Sequence, residues 1–309
     1  MKAAWILLPA LLLGAGSAQA AIATWVSGTG SDAGNCQITA PCRTFAFAHD
    51  QTNNNGAINV LSSGNFGPLT ITKPISIVSD GVEAIINTGA DGAGIKIQAD
   101  ANAVVSLRGL TIDLRGTDNQ GVSFVSAAAL HVQNCVIRRS ANGIRFNPQS
   151  GTSELYVADS VLANSTGFGI FVIPTGSAGA RITVDRVRVE NGSGIGLELV
   201  GTATTGSISA TVRDSVAAGN AAGGIRVLNN GGGATDVMVD RSAFVNSGNT
   251  GIFVNGAGAR IRIGNSTVSG NLIGLFVASN AVLNSYGNNK VNGNATTDVS
   301  GTVTQIETK

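Results

Sequence analysis

Residues 155–172 begin Leu155-Tyr156-Val157-Ala158-Asp159-Ser160. They continue Val161-Leu162-Ala163-Asn164-Ser165-Thr166 and end Gly167-Phe168-Gly169-Ile170-Phe171-Val172. Three short apolar runs are separated by small and polar residues. In the first, Leu155 and Val157 alternate with Tyr156 and Ala158, the period of a strand with one dry and one wet face. The last run is a unit of Gly, aliphatic, any residue, then aliphatic or Phe. It returns as Gly94-Ile95-Lys96-Ile97, Gly121-Val122-Ser123-Phe124, Gly143-Ile144-Arg145-Phe146, Gly196-Leu197-Glu198-Leu199, Gly224-Ile225-Arg226-Val227, Gly251-Ile252-Phe253-Val254 and Gly274-Leu275-Phe276-Val277. Counted from Gly94, with Gly169 in its place, the intervals are 27, 22, 26, 27, 28, 27 and 23 residues. A recurring period of this size belongs to a solenoid.

Ahead of each glycine unit lies an alternating segment that ends in polar residues. Examples are Leu130-His131-Val132-Gln133-Asn134, Ile182-Thr183-Val184-Asp185-Arg186 and Val237-Met238-Val239-Asp240-Arg241. A third short strand follows, as in Val136-Ile137. Three strands per repeat, no helical periodicity between them and 42 glycines for the bends predict an all-β, right-handed parallel β-helix. A βαβ chain would need a crossover helix between parallel strands, and the repeat leaves no room for one. Stacking then puts equivalent residues of successive coils into columns.

The repeat resembles the right-handed parallel β-helix proteins of the pectin-lyase-like superfamily over most of residues 57–280. The segment from Trp25-Val26-Ser27-Gly28 through Cys36, Ala40-Pro41-Cys42-Arg43-Thr44-Phe45 and Asn65-Phe66-Gly67-Pro68-Leu69-Thr70-Ile71-Thr72-Lys73 resembles a secreted bacterial subgroup with no established activity. The resemblance implies fold and an exported location. The paired-Asp and His motifs of polygalacturonases, the Tyr-Gly and Asp-Pro-His motifs of alginate epimerases and the calcium carboxylates of pectate lyases are absent.

The expected division is a secretory signal over residues 1–20, an N-terminal cap segment over 21–56, the β-helix over 57–280, and a C-terminal cap and tail over 281–309. Lys2, the apolar run Trp5–Leu13 and the box Ala18-Gln19-Ala20 have the order of a signal peptide. The apolar run is too short to span a membrane, so a periplasmic or secreted protein without a transmembrane anchor is expected. In that oxidising setting Cys36 and Cys42 are expected to pair, the alternative being two free thiols. Cys135 reads as a buried structural thiol. Residues 43–51 are expected to form a short helix over the open N-terminal end, since an uncovered coil exposes its interior and a bare strand edge. The Asn/Gly-rich stretch 284–297 is expected to close the other end.

Net charge is +1 and 12% of residues are charged, which argues against nucleic acid as a partner. Two His and no clustered ligands argue against a metal, and no cofactor is expected. Two polar columns run along the end of the alternating strands. One holds Asp185, Arg213 and Asp240; the other holds Asp159, Arg186, Asp214 and Arg241. Opposite charges alternate along both, as pairing from coil to coil requires. His131 and Tyr156 are expected as surface neighbours, Asp113 and Asp118 as turn formers, and the sequons at Asn164, Asn191, Asn265 and Asn294 as structural turns.

The column that can carry function is the outward residue of the glycine unit: Lys96, Ser123, Arg145, Phe171, Glu198, Arg226, Phe253 and Phe276. Aromatic faces pack on sugar rings, and Arg forks suit carboxylates. Either a ligand, the C-terminal tail or a partner would cover the three Phe, and Glu198 can simply pair with Arg226. The leading expectation is a non-catalytic protein that binds extracellular polysaccharide or a cell-surface component through Arg145, Phe171, Glu198, Arg226, Phe253 and Phe276. One alternative is a polysaccharide lyase or glycoside hydrolase using Arg145, Glu198 and Arg226. Hydrolysis usually needs two flanking carboxyl groups, and this column offers one. Another alternative is a purely structural or adhesin-type solenoid. The oligomeric state is not legible.

Overall fold

A computed structural model describes residues 21–87, 92–116 and 119–307. The expected signal segment and Asp118 lie outside the described residues. Among these, three parallel sheets of twelve, ten and ten strands wind into a right-handed parallel β-helix. Each coil contributes one strand to the alternating sheet, one to a short-strand sheet and one to the glycine sheet. Residues 152–172 make one such coil, with strands Thr152–Ala158, Val161–Ala163 and Ile170–Val172.

Pairing runs between coils, not within them. Leu155 faces Leu130 in one neighbouring coil and Ile182 in the other. Ile170 lies in the same way between Ile144 and Leu197. The inward residues Ile95, Val122, Ile144, Ile170, Ile225 and Ile252 are all buried, each contributing about 1.5–3 kcal/mol of hydrophobic stabilisation. The glycine of the repeat has a steric cause. A Cβ on Gly169 would stand 2.1 Å from Val189 Cγ1 and 2.6 Å from the carbonyl oxygen of Gly196 in the next coil. Backbones approach too closely there for any side chain.

The corner after each alternating strand repeats a left-handed residue. Asn134, Asp159, Arg186, Asp214, Arg241 and Asn265 have φ between 45° and 55°, a region that Asn and Asp tolerate and Arg seldom adopts. A buried ladder lies just beyond. Ser160 Oγ accepts the Cys135 N–H at 3.0 Å, Ser215 Oγ that of Val187 at 3.1 Å, and Ser242 Oγ that of Ser215 at 3.2 Å. Ser266 Oγ accepts from Ser242 at 3.1 Å, and Asn289 Oδ1 from Ser266 at 2.9 Å. These side chains satisfy amides that the bend takes out of the strand pattern. Cys135 occupies this column as a buried free thiol, and burial pushes its pKa up to about 11.

The two ends differ. The N-terminal end carries the one helix among the described residues, Phe45–Gln51. Thr44 caps it by accepting the Phe47 N–H at 3.2 Å. Phe45 packs on Phe66 with ring centroids 5.0 Å apart. The Cys36–Cys42 disulfide closes the preceding loop, as suits an oxidising compartment. Strand Ala21–Val26 precedes the helix and joins the alternating sheet beside Thr52–Val60. No helix of the described residues is long and apolar enough to cross a membrane. At the other end Thr297–Ser300 and Val303–Gln305 extend the glycine and alternating sheets.

Candidate functional site

The register of the glycine sheet places Thr70, Lys96, Ser123, Arg145 and Phe171 in one outward column. Glu198, Arg226, Phe253, Phe276 and Ser300 continue it. Neighbours are therefore one strand spacing, about 5 Å, apart. Arg145 and Glu198 are separated by the Phe171 rung, on the order of 10 Å.

Glu198 was expected to face solvent, and it does not. It is 2% exposed. Its Oε1 accepts from Arg226 Nε at 2.8 Å and lies 2.7 Å from Arg226 Nη2. Its Oε2 is buried and has no partner among the described residues. Burial pushes the Glu198 carboxyl above the ordinary carboxylate range, and Arg226 pulls it back only in part. Arg226 is held from its other side by Phe168, whose ring centroid lies 5.9 Å from the guanidinium carbon, a cation–π distance. Phe168 in turn packs on Phe171, centroids 4.5 Å apart and planes at 33°.

Phe168 has no place in the column read from sequence. It stands immediately before the glycine of its unit, where later coils carry Ile195, Gly223, Thr250 and Ile273, which pair in register. Reading that neighbouring column beside the first would have found it.

Phe171, Phe253 and Phe276 are half-buried. Phe253 and Phe276 stack with centroids 4.9 Å apart and planes at 24°. That separation matches the strand spacing, so the rings lie face to face along the solenoid axis and turn mainly edges outward. The C-terminal segment does not fold over them; it adds Ser300 as the next rung beyond Phe276. Beside this stack opens a cavity of about 170 Å³, lined by Ile195, Ile225, Arg226, Thr250, Phe253 and Phe276 among others. Its size suits one ring or side chain, below the roughly 300–1,000 Å³ of sites for larger ligands. Arg145 lies outside this recess, and its Nε is buried without a partner among the described residues.

Chemically, the face offers a single carboxylate that is covered and already paired. A hydrolase acid and base on opposite sides of a glycosidic bond cannot be assembled from it. A lyase that used Glu198 as its base would first have to uncover it, since the residue is 2% exposed.

The remaining candidates have structural partners. The alternating charges on the corner form two clusters rather than one continuous ladder. Arg186 binds Asp159 at 2.7 Å and Asp185 at 2.7 Å, and Arg213 reaches Asp185 at 3.1 Å. Arg241 binds Asp214 at 2.8 Å and also Asp240. Asp113 is more than a turn former. It accepts the Arg115 N–H at 3.2 Å, but it is also buried and binds Arg138 at 2.9 Å and Arg139. The Arg139 hydrogen bond holds its carboxyl below the usual range. His131 and Tyr156 meet edge to face at 5.9 Å. A carboxylate is nearby after all: Glu154 lies 3.9 Å from His131 Nε2. His49 accepts the Thr72 N–H at 3.4 Å, and burial lowers its pKa.

No family model matches the chain, and no curated protein matches it. Among solved structures it is similar to pectate lyase Pel9A, with a TM-score of 0.49 and 15% identity, over 87% of this chain and 70% of that one.

Proposed function

We propose that this chain is an exported, non-catalytic β-helix protein that binds a polysaccharide or a cell-surface component through the glycine-sheet face at Arg226, Phe253 and Phe276, with Arg145 and Phe171 on the adjoining rungs. The observation that carries the reading is the burial of Glu198. The only carboxylate in the column is 2% exposed and spent on Arg226, while the recess beside Arg226 stays open. A recess whose neighbouring carboxylate is covered and paired favours binding over reaction.

One observation favours the runner-up, a lyase or glycoside hydrolase. Burial raises the Glu198 carboxyl, as it does for catalytic acids. That reading requires Phe168 and Arg226 to move aside and expose Glu198.

The test is a screen of the mature protein against acidic and neutral polysaccharides, following retention and the ultraviolet absorbance of unsaturated products. Retention without products, lost in Phe253→Ala, is the expected result. Products that disappear in Glu198→Gln would establish the enzyme. A protein that neither retains nor cleaves any polymer or surface extract would be a structural solenoid.

A further inference from the structure

We infer that the Arg226 recess accepts a neutral sugar unit in preference to a uronate, and that Glu198 sets this preference by cancelling the charge of Arg226. The inference rests on the binding reading above and narrows it.

A carboxylate is best held by the two parallel N–H groups of a guanidinium fork. In Arg226 that fork, Nε and Nη2, is already directed at Glu198 Oε1, at 2.8 and 2.7 Å. The end-on N–H groups of Nη1 and Nη2 remain, and sugar hydroxyl oxygens can take them without bringing a second negative charge beside Glu198. A second carboxylate seated in the recess would also lie within about one or two strand spacings of Glu198. Like charges that close, away from bulk water, repel strongly.

Nothing else in the recess offsets this. Arg226 is the one ionisable residue in its lining. Lys96 and Arg145 share the column, but Arg145 is three rungs away, on the order of 15 Å. That exceeds the roughly 8 Å over which exposed charges interact at physiological ionic strength. The other polar lining groups are Asn249 and Thr250, whose side chains lie 3.2 Å apart. An amide and a hydroxyl both donate and accept, as sugar hydroxyls require. Ile195, Ile225 and the Phe253–Phe276 stack supply apolar walls for ring C–H groups.

The experiment uses the full mature chain at mildly alkaline pH. A set of hexuronate polymers is compared, each beside its own carboxyl-reduced form, by equilibrium binding. The expected result is that at least one reduced polymer binds more tightly than its parent, by about tenfold or more, a difference of about 1.4 kcal/mol. Glu198→Gln, shown by melting to be folded, should shrink or reverse that ratio by leaving Arg226 uncompensated. If every polymer that the native chain binds is held as tightly or more tightly in its acidic form, the inference is overturned and the binding reading stays intact. An unchanged ratio in folded Glu198→Gln also overturns it. If none of the polymers binds, the binding reading fails and this inference falls with it.

Discussion

Two of the sets of ion pairs that join neighbouring coils are built differently. On the corner after the alternating strands, Arg186 clasps Asp159 and Arg241 clasps Asp214, with the four side chains 36–54% exposed. On the glycine sheet, Glu198 and Arg226 make the same connection between adjacent coils, but the carboxylate side chain is 3% exposed. In these two corner pairs water screens both charges, and each exposed pair contributes about 0–1 kcal/mol. In the glycine-sheet pair the carboxylate has left water, and only Arg226 compensates it. The same sequence pattern, opposite charges one coil apart, therefore has two meanings. At the corner it reinforces register. On the face it fixes the charge of a recess.

The largest expected effect follows from removing Arg226. Arg226→Ala leaves a buried carboxylate without its partner, and such breaks cost about 3–5 kcal/mol. A denaturant melt at neutral pH measures it. Replacing both partners, Glu198→Gln with Arg226→Gln, should recover most of the loss, because no unpaired charge remains. A single-variant loss below about 1 kcal/mol would put this pair in the same class as the corner pairs.

The next effect separates the regions by pH. Glu198 has a raised pKa because burial outweighs Arg226. Its folded state holds the proton more tightly than the unfolded chain, so its contribution to stability is full at acidic pH and is lost as pH rises through the raised pKa. Asp159 and Asp214 have lowered pKa values, chiefly from their hydrogen bonds to Arg186 and Arg241. Their contribution is present above the ordinary Asp range and is lost as pH falls through the lowered values. Melting temperatures of the native chain, Glu198→Gln and Asp214→Asn across this range should show differences of opposite slope. Parallel curves would erase the distinction between the two regions.

Most of this architecture is legible in the sequence, and the missing parts have a common cause. The glycine interval identifies the coils, and alternation identifies which residues point inward. Together they place Asp185 beside Arg213 and Glu198 beside Arg226, as the register has them. A column gives neighbours along the solenoid axis. It gives neither depth nor the side chains that lean in from a loop. Phe168 enters from the bend before its strand and helps to cover Arg226, so Glu198 occupies an outward position and is nevertheless buried. Asp113 was read from its loop alone, while its partners Arg138 and Arg139 come from the next coil. The serine ladder was missed because Ser160, Ser215, Ser242 and Ser266 read as ordinary bend residues until their hydroxyls are seen to accept amides of the preceding coil.

A smaller effect tests the corner as an electrostatic device. Arg213 reaches Asp185, a residue 1% exposed, and stands in register with Asp240 as well. Arg213→Ala should cost about 1 kcal/mol or less, because Arg186 still pairs the buried Asp185 at 2.7 Å. Arg213→Asp should lower the melting temperature further, since it sets three carboxylates in consecutive coils, and like charges directly opposite destabilise a sheet. Equal melting temperatures for the two variants would remove electrostatics from the account of this corner and leave only its backbone.

The smallest effect isolates that backbone. Asp159 both pairs with Arg186 and holds a left-handed φ of 50°. Asp159→Asn removes the charge and keeps a side chain that tolerates this conformation. Its melting free energy should stay within about 0.5 kcal/mol of the native value, as an exposed pair allows. Asp159→Ala removes the same charge but sets a residue with no local hydrogen bond into the left-handed region, at a cost of roughly 1–2 kcal/mol. If Ala is worse than Asn, conformation is what the corner position demands and the ion pair is secondary. If both fall by the same amount, the charge carries the effect. The exposed pair would then be closer to Glu198–Arg226 than its solvation suggests, and burial would not be what separates the two regions.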